Sequence, residues 1–245
     1  MIILSKKQIS SILLVFGLTN IASCGRNAAV NAPVVEANAI AQRLVQQAAA
    51  PQANSPQFAQ PIDCTLGKDC FIFHYFDRDP SPAAVDFGCG RQTYNGHDGI
   101  DFGIPDETAM AKGVAVTASA AGKVLRVRDG VVDRRLQNDT DKANIAGTEC
   151  GNGMVIDHGG GWEAQYCHLR KGSVVVKPGA QVAKGAVLGM VGTSGMTSFP
   201  HVHVTFRHQG KAVDPFVGSD AKLGCNVTQN PIWDKPIDYV PTGLI

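Results

Sequence analysis

The chain has 245 residues, of which 44% are hydrophobic and 18% charged, so it is long enough for one well-packed domain with extensions. Its formal net charge of +1 supplies no basic surface field, which argues against binding to DNA, RNA or an acidic membrane surface. The 27 glycines and 13 prolines are spread along the chain without a period, so the composition excludes a fibrous protein and favours a β-rich fold with many tight turns.

The N-terminal segment predicts export and lipid attachment. Lys6 and Lys7 precede an apolar run over residues 9–18, which is too short for a good membrane-spanning helix and is typical of a secretory signal. Segment 21–24 (IASC) resembles the bacterial lipobox, in which the cysteine is acylated and becomes the mature N-terminus. The sequence therefore predicts a lipid on Cys24, the alternative being an ordinary cleaved signal with an incidental cysteine.

The predicted anchor divides the chain into three parts. Residues 1–23 are expected to be the lipoprotein signal peptide. Residues 24–61 are rich in Ala, Asn, Gln and Pro and carry few charges, which predicts a lipidated, flexible linker; one weak helix over 34–49 could instead dock onto the domain. Residues 62–245 are expected to form the folded domain. Cys24 is followed by Gly25 rather than by Asp, as in lipoproteins sorted to the outer membrane, so the expected location is that membrane, facing the periplasm.

The other six cysteines predict disulfide bonds. An exported chain enters an oxidising compartment, where paired cysteines are favoured over metal thiolates. No Cys-x-x-Cys pair is present, which argues against a thiolate zinc site and directs the search for a metal to His and Asp. These cysteines are Cys64, Cys70, Cys89, Cys150, Cys167 and Cys225.

Short apolar runs separated by glycine turns predict a single, mostly antiparallel β domain. The predicted strands cover residues 114–118, 124–127, 154–157, 163–168, 173–176, 186–191 and 202–206.

One predicted hairpin brings two cysteines together. Runs 154–157 and 163–168 flank the glycine turn at 158–161, so the two strands are expected to pair. In that pairing Cys150 and Cys167 fall near opposite positions, within the distance that a disulfide requires. We therefore predict a Cys150–Cys167 bridge.

A polar stretch over residues 129–144 interrupts the strand pattern. Its clustered charges predict a long surface loop. Such a loop can be a simple insertion or a lid over a site, and an insertion is the favoured interpretation.

Three segments concentrate the residues that can carry chemistry: 96–101 (GHDGID), 165–169 (QYCHL) and 200–204 (PHVHV). Side chains on a strand repeat with a period of two, so His97 and Asp101 are expected to share one face, as are His201 and His203. Two imidazoles and one carboxylate form a good zinc set whose fourth position stays open, as in catalytic rather than structural zinc sites.

In order and combination, these segments resemble the lysostaphin-type (LytM-like) zinc metallopeptidases, also called the peptidoglycan DD-endopeptidase family. The resemblance covers roughly residues 85–216. The segments that carry it are 97–101, 166–169 (YCHL), 176–179 (VKPG), 185–189 (GAVLG), 192–195 (GTSG) and 200–203 (PHVH).

The resemblance implies a role for each of five residues. His97, Asp101 and His203 are expected to bind zinc, and His168 and His201 are expected to be catalytic. We expect His201 to be the general base and His168 the partner of the oxyanion, with the reverse assignment left open. The family further implies an open groove over the zinc.

The expected activity is hydrolysis of peptide cross-links in peptidoglycan, with peptide stems as substrate and no nucleic-acid partner. For an envelope with an outer membrane, the resemblance and the lipobox together make a D-Ala to diaminopimelate bond the expected target. The alternative function is a catalytically silent envelope lipoprotein that binds and activates a cell-wall amidase. Proteins of that kind lack several metal ligands, whereas all five residues are present here.

Two features depart from the family pattern or fall outside it. Met196 and Phe199 replace the small residues usual before the proline at 200, which is expected to reshape the cleft. The histidines at 74, 158 and 208 match no ligand position. His74, His158 and His208 are therefore expected to have structural or solvent-facing roles.

Overall fold

The computed structural model describes residues 56–219 and 222–241. The predicted signal peptide, the lipid site at Cys24 and the weak helix over 34–49 lie outside the described residues. No helix in the described ranges is long and apolar enough to cross a membrane.

The described chain folds around one antiparallel β-sheet, which confirms the predicted fold class. Eight strands form this sheet in the order β1-β2-β9-β6-β5-β4-β7, with β10 beside β9, while β3 and β8 form a separate pair. Every pairing between named strands is antiparallel. The strands are β1 (Phe71–His74), β2 (Ile100–Gly103), β3 (Ala115–Thr117), β4 (Gly122–Arg128), β5 (Asn152–Gly159), β6 (Trp162–Leu169), β7 (Gln181–Val182), β8 (Val187–Met190), β9 (His201–His208) and β10 (Lys211–Val213).

Two short helices lie in the connections: α1 (Glu107–Lys112) and α2 (Asp139–Ala143). Each begins after an Asx cap. Asp106 accepts a hydrogen bond from the Ala109 N–H, and Asn138 accepts one from the Asp141 N–H. The predicted surface insertion therefore contains one helical turn.

The two faces of β9 lie in different environments. Val202, Val204 and Phe206 are fully buried in the core. Because side chains alternate along a strand, His201 and His203 project from the opposite face of the sheet. The alternation predicted from the sequence thus places both histidines on one surface, with the core directly behind them.

The predicted hairpin and its disulfide are both confirmed. Strands β5 and β6 pair around the glycine turn, and Cys150 bonds to Cys167 with their Cα atoms 4.8 Å apart. The remaining predicted disulfide cysteines pair locally, as Cys64–Cys70, and across 136 residues, as Cys89–Cys225.

The packed domain begins before the predicted boundary at residue 62. Phe58, placed in the linker by the sequence, is fully buried, and its ring lies 4.6 Å from that of Phe206 between centroids. Its N–H donates to the Ile232 carbonyl at 2.9 Å, and the Asp234 N–H donates back to the Phe58 carbonyl at 2.8 Å. A single apolar residue in a polar stretch gives no periodic signal, so only its distant partners reveal this burial.

One predicted strand is wrong. Residues 173–176 are not a strand, although the Val175 N–H donates to the Leu188 carbonyl of β8 at 3.0 Å. The segment runs beside β8 without forming a ladder, and the Val175 side chain is exposed. β-Branched residues favour a strand locally, but no neighbour completes the pairing here.

Candidate metal centre

Three of the predicted site residues meet where β2 lies beside β9. In the antiparallel register Asp101 stands opposite His203, and Gly103 stands opposite His201. His97 lies in the loop before β2, so the expectation that it shares a strand with Asp101 is wrong. The turn between them nevertheless brings both side chains to the same point.

The three side chains form a compact, largely buried cluster. Each offers one ligand atom, and these atoms lie within 4.8 Å of one another. Asp101 Oδ1 lies 2.8 Å from His203 Nδ1 and 3.2 Å from His97 Nε2. The two imidazole nitrogens are 3.1 Å apart. The structure thus brings together His97, Asp101 and His203.

Hydrogen bonds on the outer side of the cluster fix which nitrogen of each ring carries a proton. His97 Nδ1 lies 2.6 Å from the Tyr75 carbonyl, which can only accept, so His97 Nε2 presents a lone pair to the cluster. His203 Nε2 lies 2.9 Å from Thr205 Oγ1, and that hydroxyl donates to Asp98 Oδ1 at 3.3 Å. His203 therefore donates outward through Nε2, and Nδ1 is the nitrogen that faces the cluster.

This arrangement fits a metal ion. Two imidazole nitrogens and one carboxylate oxygen converge on one point, and a positive charge there, either a proton or a metal ion, stabilises the group. Two nitrogens and one oxygen are a donor set that zinc accepts, and the outward hydrogen bonds are those that orient metal-binding histidines.

The electrostatics of the cluster also favour positive charge at this point. Burial raises the pKa of Asp101, but the neighbouring His97 and His201, with hydrogen bonds from His203, lower it well below its usual value. Burial lowers the pKa of His203, while hydrogen bonds to Asp101 and Asp98 more than offset this and raise it to about 9, so a metal that binds at Nδ1 would displace the proton held there.

The two predicted catalytic histidines lie beside the cluster, with their rings 4.7 Å apart between centroids. His168 Nδ1 lies 2.8 Å from the Ser194 carbonyl, and His201 Nδ1 lies 2.7 Å from the Phe199 carbonyl. Each ring therefore donates through Nδ1 and keeps a lone pair on Nε2. His201 Nε2 lies 3.6 Å from Asp101 Oδ1.

Burial lowers the pKa of both of these histidines. The pKa of His168 falls well below its usual value because of burial and then the nearby His201 and His203. The pKa of His201 also falls through burial, against an opposing effect of Asp101. Both imidazoles are consequently neutral near pH 7 and able to accept a proton.

Comparison with known proteins agrees with this geometry. Residues 95–215 match the model of Peptidase family M23. These residues are a peptidase M23 domain. The match includes all five predicted site residues.

Curated relatives match over the same region. The DD-carboxypeptidase/endopeptidase Mpg of Neisseria meningitidis is 33% identical over 123 residues, which is 50% of this chain and 23% of that protein. The peptidoglycan DD-endopeptidase ShyA of Vibrio cholerae is 30% identical over 118 residues, which is 48% of this chain and 22% of that protein. The chain thus spans less than a quarter of the length of these relatives. Among solved structures, lysostaphin of Staphylococcus simulans is 20% identical with a TM-score of 0.39, covering 58% of this chain and 47% of that one.

The backbone of the M23 domain is unusual at His168. Its φ of 66° lies in the left-handed region, which a non-glycine residue seldom adopts. The His168 N–H donates to the Cys150 carbonyl at 2.9 Å, and Cys150 is tied to Cys167 by the disulfide. The bridge therefore sits directly beside a catalytic candidate and helps to hold its backbone.

Glycine is required at one position next to the candidate ligand cluster of the M23 domain. A Cβ atom built on Gly99 would lie 2.6 Å from His203 Cε1 and 2.6 Å from the Val204 carbonyl oxygen. Any side chain at position 99 would displace the imidazole or the strand that carries it.

One residue of the site was missed by the sequence analysis. His74, expected to be structural or solvent-facing, places Nδ1 2.9 Å from Asp101 Oδ2. It precedes the region matched by the family model, and it reaches the M23 site because β1 pairs with β2 in a register that sets His74 opposite Asp101. No motif marks it.

The structural roles expected for the other two histidines agree with their contacts: His158 packs against Phe58, and His208 stacks on Trp162.

A cavity of about 200 Å³ opens beside His168 and His201. Met196 lines it, as expected for a residue that reshapes the cleft. The polar stretch 129–144 contributes Leu136 and Lys142 to the wall, so this insertion borders the site. Phe73, His74 and Tyr94 also line the cavity.

The insertion is held against the M23 domain by backbone hydrogen bonds. The Leu136 N–H donates to the Thr197 carbonyl at 2.9 Å, and the guanidinium carbon of Arg135 lies 5.6 Å from the centre of the Phe199 ring. Phe199, the second departure from the family pattern, packs in turn against Phe71 and Phe73.

Proposed function

We propose that the chain is a zinc metalloendopeptidase that hydrolyses peptide cross-links of peptidoglycan. The observation that carries the proposal is the convergence, in an M23 domain, of three inward-facing ligand atoms with two neutral histidines directly beside them. The relatives named as peptidoglycan DD-endopeptidases support the substrate class.

His97, Asp101 and His203 would hold the zinc. When bound there, zinc supplies a Lewis acid that polarises a peptide carbonyl and lowers the pKa of water. The chain supplies the orientation, because each ligand imidazole is fixed by a hydrogen bond on its outer side.

The protein's own groups move the protons. His201 is the proposed general base, because its Nε2 lone pair faces the site and the carboxylate 3.6 Å away favours its protonated form. His168 has the same tautomer, so it donates a hydrogen bond through Nε2 only after it gains a proton. The proton that the attacking water loses to His201 would supply it, after which His168 can stabilise the oxyanion or protonate the leaving amine.

The proposed substrate is the peptide stem or cross-bridge of peptidoglycan, with a D-Ala to diaminopimelate bond as the expected target. The amidase-activator alternative is not favoured, because its members lack several ligands and this chain brings the complete ligand set into contact.

The proposed activity is tested by incubating the full chain with purified peptidoglycan and separating the muropeptides. We expect cross-linked dimers to disappear and monomers to accumulate, without amidase products, and we expect a zinc chelator to abolish the change. Dimers that persist under all conditions, or wall cleavage that depends on an added amidase, would contradict the proposal and support the activator function.

For the location, we propose an outer-membrane lipoprotein whose lipid on Cys24 holds the enzyme at the periplasmic face. The proposal rests on the lipobox-like segment 21–24 and on the residue that follows it. The wild type should partition into detergent, and Cys24→Ala should release a soluble or uncleaved form. A mature wild type that is fully soluble and begins at another residue would show that there is no such anchor.

A further inference from the structure

The two carboxylate oxygens of Asp101 have different neighbours. Oδ1 faces the metal ligands and lies within 3.2 Å of a nitrogen of His97 and of His203. Oδ2 points the other way and lies 2.9 Å from His74 Nδ1. The Asp101 side chain is only 4% exposed, so these neighbours rather than bulk water determine its orientation.

The direction of the hydrogen bond follows from the chemistry of the acceptor. A carboxylate that binds a metal is ionised and can only accept hydrogen bonds. His74 must therefore carry its proton on Nδ1 and donate to Asp101 Oδ2. A charge-assisted bond of this kind is stronger than one between neutral groups and has a preferred direction.

The surroundings of His74 hold its ring in place. Strand β1 pairs with β2 so that His74 stands opposite Asp101, after a register shift between residues 72 and 74. Its ring centroid lies 4.1 Å from that of Phe73, 5.3 Å from Tyr94 and 5.7 Å from His97. The imidazole is thus packed on several sides while its Nδ1 contacts the carboxylate.

We propose that His74 is a positioning residue for the metal centre: by donating from Nδ1 to Asp101 Oδ2, it keeps Oδ1 directed at the metal between His97 and His203. His74 thereby brings β1 into a site whose proposed ligands lie on β2, on the loop before β2 and on β9. This inference rests on the proposed zinc site.

The test compares zinc affinity among full-length variants. His74→Ala removes the donor, and we expect zinc to bind about 10–100-fold more weakly, as is typical when a partner of a metal ligand is lost. His74→Asn keeps an N–H close to the position of Nδ1 and should retain most of the affinity. His208→Asn, on a histidine that stacks on Trp162, is the matched control and should leave the affinity unchanged. Competition with a chromophoric chelator measures all four proteins.

A second measurement separates positioning from general destabilisation. With cobalt in place of zinc, the visible spectrum reports the ligand geometry, so His74→Ala should change the spectrum while His74→Asn and His208→Asn keep that of the wild type. Thermal unfolding of each variant verifies that it is folded.

The outcomes distinguish this inference from the proposed function. A wild type that binds no zinc overturns the metal site itself. A wild type that binds zinc, with His74→Ala equally tight and spectrally unchanged, overturns only the role of His74. An asparagine variant as weak as the alanine variant also overturns it, because the packing of the ring rather than its N–H would then be responsible.

Discussion

Replacing His203 with alanine is expected to remove zinc and, with it, all peptidase activity. His203 Nδ1 lies 2.8 Å from Asp101 Oδ1 and 3.1 Å from His97 Nε2, so its loss opens one side of the ligand cluster. Only two protein ligands remain, fewer than the three typical of catalytic zinc sites. We expect the affinity to fall by more than the roughly 10–100-fold typical of losing an outer partner of the metal.

Two measurements check this result. Elemental analysis after dialysis should find zinc in the wild type and none in His203→Ala. Zinc at 100 times its dissociation constant should stabilise the wild type by about 2.7 kcal/mol, through binding to the folded state alone, and leave His203→Ala unaffected. Excess zinc can restore a trace of activity. Stoichiometric zinc in the dialysed variant would contradict the assignment of His203 as a ligand.

Replacing His201 with alanine is expected to impair the enzyme in a different way, although His201 lies only two positions from His203 on the same strand face. Its Nδ1 is bound to the Phe199 carbonyl at 2.7 Å, and its Nε2 is a neutral proton acceptor beside the cluster. We expect zinc to remain and kcat to fall by about 10²–10⁴-fold, the usual loss on removal of a general acid or base.

The metal content of the two variants must be compared directly. Wild-type zinc content with a greatly reduced kcat in His201→Ala would support the proposed role. A zinc-free His201→Ala together with a zinc-loaded His203→Ala would invert the two assignments. Full wall-cleaving activity in both variants, each with zinc bound, would remove the basis of the proposed site and favour the amidase-activator function.

Much of this site could be predicted because its signals are local. The spacing of His201 and His203 matches the period of a strand, and the observed β9 confirms that both share a face. The glycine turn between two β-forming runs predicted the hairpin, and the hairpin predicted the Cys150–Cys167 disulfide; the structure contains both.

Other features lack a local signal. Phe58 is a single apolar residue in a polar stretch, and its burial depends on contacts with Ile232, Asp234 and Phe206 that lie far away in the chain. Residues 173–176 have strand-like composition, but a strand needs a partner along its whole length and this segment lacks one.

The sequence by itself determined the kinds of donor, which are histidines and an aspartate in short motifs, and it predicted that the cysteines other than Cys24 form disulfides. Only the tertiary structure decided how they meet. The register of β2 against β9 joins Asp101 to His203 across 102 residues, and that of β1 against β2 adds His74 from outside the motifs. The backbone carbonyls of Tyr75 and Ser194, both distant in the chain, then select the tautomers of His97 and His168. These choices depend on strand pairing between remote segments, which residue spacing within a motif does not encode.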